Sequence, residues 1–398
     1  MIKRKRLWLG VWLALGWAIA LVLQTGTAAI AQSEETTGIL RPPIPATELR
    51  GVWLTNIDSE VLFSKANLEQ ATQRLRRLNF NTMYPTVWNG GYTLYPSATA
   101  ERVIGQAVDP YPGLQERDML AEAVELGHAQ GLSVIPWFEF GLMAPADSEL
   151  VRRHPDWITQ RRDGSQIVMQ GKDPRVWLNP THPEVRQFLA DLVGEVVENY
   201  DIDGIQFDDH FGLPVELGYD DYTVELYRQE HQGKEPPEDF QDEEWMSWRA
   251  SKITSLMLQI FFTVKNQNQD CIVSLSPNPR QFAYDRYLQD WYTWQRLGFL
   301  EELIVQVYRT SQERFLYELS QPELQEIRTR IPVAIGILTG LRILPIEMTQ
   351  IEEQVWTTRD RQFNGMAFFF YETLGDRDEA FQQLFATPAT RPTLQASR

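Results

Sequence analysis

The sequence predicts an α/β fold, a single (β/α)8 TIM barrel with long loops after strands 3 and 4. Three observations lead there. From Glu48 to about Phe385, short apolar runs alternate with stretches whose apolar residues recur every 3.6 positions. Eight such runs can be counted, and repeated strand–helix alternation implies parallel strands joined by helical crossovers. The first run continues as Trp53-Leu54-Thr55-Asn56-Ile57-Asp58, with no Gly-x-Gly-x-x-Gly, which argues against an open dinucleotide-binding sheet.

In chain order the expected strands are 49–54, 82–87, 133–138, 204–207, 272–275, 303–307, 333–337 and 365–370. The helical periods fall at 67–78, 118–129, 182–199, 243–266, 286–297, 321–329 and 347–359. Gly131 is a suitable residue just past the second of these, and Pro183 suits the first turn of the third. The connections 139–181 and 209–242 are long. Long loops on one face of a barrel usually serve function.

Ahead of the barrel, residues 1–31 have the layout of an export signal. Lys3, Arg4, Lys5 and Arg6 precede the apolar Leu7–Leu23, and Ala29-Ile30-Ala31 supplies a cleavage site. Cleavage makes the protein free; an uncleaved segment of about 17 apolar residues would anchor it in a membrane. Either way the expected location is the periplasm or cell envelope. Residues 32–46, proline-rich at Arg41-Pro42-Pro43-Ile44-Pro45, are expected to be a linker, 47–385 the barrel, and 386–398 a disordered tail.

The formal charge of −17 excludes nucleic acid as a natural partner, because phosphates call for Lys and Arg. Cys271 is the single cysteine, so no internal disulfide forms; it lies in an apolar run and is expected to be a small buried hydrophobe.

Chemistry is expected where barrel strands end, because the loops at their C-terminal ends build the active site. The run Asp203-Gly204-Ile205-Gln206-Phe207-Asp208-Asp209-His210-Phe211 delivers two carboxylates and an imidazole. Other strand ends supply Trp88, Asn89, Trp137, Glu139, Asn278, Gln306, Tyr308, Arg309, Tyr371 and Glu372. Flat rings, amides and acids together suit a sugar. Glycoside hydrolysis needs one protonated and one ionised carboxyl. Asp208 is the candidate nucleophile or charge stabiliser, and Glu139 or Glu372 the general acid. Asp209, His210, Trp88, Asn89, Trp137, Asn278, Gln306, Tyr308, Arg309 and Tyr371 are candidates for binding substrate. The 13 tryptophans split between this rim and core packing, with Trp88 and Trp137 the stacking candidates. None of the 5 histidines forms a His-x-His or His-x-x-x-His pair, so no metal is expected, although the Asp208-Asp209-His210 run leaves a metal-dependent deacetylase open. No Gly-x-Ser-x-Gly elbow occurs.

Four segments carry a family resemblance: Glu48-Leu49-Arg50-Gly51-Val52-Trp53-Leu54-Thr55, Asn81-Thr82-Met83-Tyr84, Trp177-Leu178-Asn179-Pro180, and Tyr200-Asp201-Ile202-Asp203-Gly204-Ile205-Gln206-Phe207-Asp208-Asp209. In this order they resemble the glycosyl hydrolase-like 10 family, over about residues 47–385. The resemblance implies a TIM-barrel glycoside hydrolase of the bacterial envelope, acting on peptidoglycan strands stripped of stem peptides, without a cofactor. It also implies cell-division or envelope proteins as partners. Two departures stand out. His210 follows the acid pair where the family often has Tyr, and Phe138-Glu139-Phe140 replaces a Leu-Asn-Pro-like stretch, so Asp208 carries over more directly than Glu139. The competing expectation is a glycan-binding barrel without catalysis.

Overall fold

A computed structural model describes residues 43–393. The expected export signal, most of the linker and the last tail residues lie outside them. Among the described residues, no helix is long and apolar enough to cross a membrane.

Nine short parallel strands form one curled sheet. They are Leu49–Leu54, Thr82–Pro85, Ser133–Val134, Trp137–Phe138, Gly204–Asp208, Ile272–Ser276, Glu302–Gln306, Val333–Leu338 and Gly365–Phe369. The two ends of the sheet are Ser133–Val134, beside Thr82–Met83, and Trp137–Phe138, beside Gln206–Phe207. Only Ile135 and Pro136 separate them in the chain, so the sheet curls back on itself in a TIM-barrel-like way. The run expected as one strand, 133–138, is thus interrupted at Pro136, which has no N–H to give a ladder.

Side-chain alternation divides the strands between two layers. One set of residues, including Leu49, Trp53, Tyr84, Ile135, Trp137, Ile304, Ala334 and Ala367, fills the inside of the curl. The opposite set packs outward with the helices into the main core. Gly51 makes room inside, since a Cβ there would stand 2.7 Å from the Tyr84 ring. Helices follow most strands. Among the capped ones, Lys65–Arg77 and Met119–Ala129 start on Ser64 and Asp118, whose side chains accept from backbone N–H groups in the first turn. The helix expected at 286–297 is two pieces, Arg280–Tyr287 and Trp291–Arg296, because Leu288 turns left-handed (φ 51°) and Asp290 caps a new start.

The inside of the curl holds a polar chain. Trp53 Nε1 donates to Gln206 (2.7 Å), Gln206 to Ser274 (2.9 Å), and Ser274 to Glu302 (2.9 Å). Arg391 closes it at the N-terminal face by pairing with Glu302. The expected disordered tail is therefore corrected for residues 387–391. Thr387 accepts from Arg50 (2.6 Å), and the Thr390 backbone bonds Ala46 and Glu48. Beside this floor, Glu48 is buried between Arg50 (2.7 Å) and Arg359 (2.7 Å), all three at most 6% exposed.

Both long loops are built rather than structureless. The one after Phe138 carries an antiparallel three-stranded sheet, Met143–Pro145, Asp173–Trp177 and Val168–Gln170. The one after Asp208 carries the helix Asp221–Glu230.

Candidate active site

The strand Gly204–Asp208 aims its acid by simple alternation. Gln206 points inside the curl, where it meets Trp53, so Asp208 two residues on points the same way at the C-terminal end. On the neighbouring strand Trp137 pairs with Gln206 and Phe138 with Phe207. Glu139, the next residue, therefore lies level with Asp208. Both acids are buried, at 7% and 2% exposure.

Their environments differ. Asp208 accepts from Trp137 Nε1 (3.2 Å) and from the His210 backbone N–H (2.9 Å). His210 Nδ1 lies 3.2 Å from Asp208 Oδ1 and 2.9 Å from the Glu139 carbonyl oxygen, an acceptor, so Nδ1 carries a proton. Glu139 Oε2 takes bonds from Asn89 (2.6 Å), Thr86 (3.0 Å) and Thr55 (3.3 Å). Burial raises the Glu139 pKa to about 7, helped by the Asp208 charge and opposed by the Asn89 hydrogen bond. Burial also raises Asp208, to about 6, against the pull of His210. Burial disfavours the His210 cation, but Asp208, Asp209 and Glu139 outweigh it and lift its pKa to about 10. Near neutral pH the site thus holds an imidazolium, a mostly ionised Asp208 and a Glu139 that keeps its proton about half the time.

Asp209 turns aside. It accepts from Asn278 Nδ2 (2.9 Å) and Gln306 Nε2 (3.0 Å), so those amides hold an acid in place. Tyr308 is buried, and its pKa is pushed well up by burial and then by Asp209, Asp208 and Glu139. Its protonated hydroxyl thus lies within their field. Gly141 (φ 48°) lets the chain pass close behind His210, whose backbone would stand 2.8 Å from a Cβ there.

Several expected site residues go elsewhere. Trp88 is fully buried against Phe188 and donates to the Gly141 carbonyl (3.2 Å), so it offers no stacking face. Trp137 is 3% exposed and serves Asp208 by its N–H. Asn89 is buried and holds Glu139. Arg309 pairs with Glu318 (2.8 Å) and lines a separate cavity of about 590 Å³. The Tyr371 ring packs under Arg74 at 5.4 Å. Glu372 bonds Ser59, and its pKa is raised by burial, with no link to Asp208 or Glu139; it anchors the loop after the first strand. Between the two candidates for general acid, the geometry favours Glu139. Thr55 and Thr86 were missed, although each stands one residue past a strand and the strand-end rule covers them.

Asp208, Asp209 and His210 offer three ligand atoms within 4.8 Å of one another. They fit a cation poorly. Asp209 already faces two amide donors, and His210 Nδ1 is turned to the Glu139 carbonyl and to Asp208.

Two buried carboxyls, one inclined to keep its proton and one to lose it, are the equipment for breaking a glycosidic bond. Residues 48–358 match the model of the family described as Glycosyl hydrolase-like 10, and the chain belongs to that family. It is 24% identical over 312 residues to Glycosyl hydrolase DigH of Escherichia coli (strain K12), covering 65% of each chain. It is 26% identical over 251 residues to Glycosyl hydrolase YngK of Bacillus subtilis (strain 168), covering 58% of this chain and 45% of that one. The chain thus spans less than two thirds of these relatives. Among solved structures, the PgaB (BpsB) glycoside hydrolase domain from Bordetella bronchiseptica superposes with a TM-score of 0.65 at 12% identity, over 86% of this chain and 99% of that one. The catalytic domain of the Paenibacillus polymyxa β-amylase gives 0.57 at 11%, over 86% and 98%. At these identities the likeness is one of fold.

Activity should follow a narrow bell. It rises as Asp208 ionises near pH 6 and falls as Glu139 deprotonates near pH 7, the two values belonging to the coupled pair. His210→Asn removes the cation that holds Asp208 down. The acid limb of kcat/KM should then move to higher pH, and an unmoved limb would break the link between the two residues.

Proposed function

We propose that this chain is an exported glycoside hydrolase of the cell envelope, cutting peptidoglycan glycan strands that lack stem peptides. Counted with 133–138 as one interrupted strand, the sheet is the eight-fold barrel on which such enzymes are built. The observation that carries the reading is the level placement of Glu139 and Asp208 on adjacent strand ends, with His210 against the second. Glu139 protonates the leaving oxygen, and Asp208 attacks or stabilises the sugar carbon. The separation of the two carboxyls decides the course, roughly 5 Å for a retaining and roughly 6.5–9.5 Å for an inverting enzyme. Export is supported by the basic–apolar–Ala-Ile-Ala layout of residues 1–31, and the partners would be envelope or cell-division proteins. The names of the relatives extend to glycosyl hydrolysis and leave the glycan open.

Peptide-free glycan strands incubated with the protein should yield shorter products by mass analysis. NMR of the first product distinguishes a retained from an inverted anomeric configuration. Binding without release of product would establish a glycan-binding barrel instead.

A further inference from the structure

Arg175 has no place in the chemistry above, yet it lies beside it. It sits on Asp173–Trp177, a strand of the sheet carried by the loop after Phe138, and is 7% exposed. Its guanidinium stacks on the Phe140 ring at 5.2 Å, and that ring stands 6.0 Å from the His210 ring. Glu139, Asp173 and Asp147 act on it through their charge alone. Among the described residues it makes no hydrogen bond or ion pair, while none of its nitrogens is sealed from solvent. Buried arginines elsewhere are paired: Arg50 and Arg359 hold Glu48, and Arg391 holds Glu302. Arg249 is given four backbone carbonyls. A guanidinium cannot shed its proton, so this one, nearly enclosed yet with nitrogens still reached by solvent and bonded to no protein acceptor, is free to pair with an anion that enters.

We propose that Arg175 binds a carboxylate on the substrate, so that the enzyme prefers a glycan with an acidic sugar at this position. This rests on the glycan-hydrolase reading and sharpens it. A guanidinium fork matches a single planar carboxylate in two parallel bonds. A chain of net charge −17 repels anionic glycans in general, so accepting one calls for a dedicated cation at the site. Peptide-free strands of N-acetylglucosamine and N-acetylmuramic acid carry such a free carboxylate on every second sugar; a stem peptide would convert it to an amide.

The test compares two probes, an N-acetylglucosamine–N-acetylmuramic acid oligosaccharide with free carboxylates and the same oligosaccharide with them converted to methylamides. Binding is measured calorimetrically to the full chain carrying Asp208→Asn, and hydrolysis with the unaltered chain. The free acid should bind about 10- to 100-fold more tightly. Arg175→Gln should erase that preference while leaving the amide's affinity unchanged, and Arg175→Lys should keep part of it. Equal affinity for the two probes, or an equal loss for both in Arg175→Gln, would overturn the assignment. The comparison of probes within one protein holds even if Arg175→Gln folds poorly. Hydrolysis of both probes at equal rates would remove the role of Arg175 and leave the glycosidase standing. A preference in binding with no hydrolysis of either would do the reverse.

Discussion

Asp208→Asn should lower kcat on glycan strands by about 10³-fold or more, the scale on which enzymes lose a residue that acts on the reacting atoms. The substitution keeps the shape of the side chain but only one of its two acceptors, so either the Trp137 or the His210 N–H loses its partner. What it removes is the negative charge that meets the developing cation on the sugar. Glu139→Gln should cost about 10²–10⁴-fold, the usual contribution of a general acid, with a smaller loss on substrates whose leaving group needs no proton. An aryl glycoside with an acidic phenol makes that comparison. Glu372→Gln should leave kcat close to the wild-type value, because that carboxyl anchors Ser59 away from the pair. A large loss in Glu372→Gln with little in Glu139→Gln would reverse the assignment of the acid.

Glu48→Ala should be the most damaging change outside the site. Glu48 neutralises Arg50 and Arg359, both buried, through three contacts of 2.7–2.9 Å. Removing one member of a buried ionic cluster strands the others, at a cost of about 3–5 kcal/mol. Urea unfolding followed by tryptophan fluorescence measures it, and a change in midpoint without a change in slope is expected. Lys65→Ala, which breaks an exposed pair with Glu125, should change the midpoint little.

The strand order was legible because each apolar run was short and bounded, and Leu49–Leu54 was read to the residue. The break at Ile135-Pro136 was legible in principle, since proline interrupts a ladder. The split at Leu288 was not, because a leucine in left-handed conformation follows from its surroundings rather than its type. At the site, strand ends alone singled out Asp208, Asp209, His210 and Glu139, which the fold sets side by side. Trp88, Arg309 and Tyr371 were misplaced because position after a strand says nothing of which way a side chain then turns. Arg175 gave no signal at all. It stands far from any main strand end, and what sets it apart, a missing partner, exists only in the fold.

The contact between Thr47 and Thr390 has a topological consequence. It sets residues near the two ends of the described fold side by side on the barrel floor, opposite the acids. Order of synthesis and order of packing are therefore separable. A circular permutant, joined by a short linker across the floor and opened at the exposed turn around Gly233, would retain every contact of the site. The floor clasp would then be formed within a continuous segment, and the catalytic face would be untouched by where the chain begins.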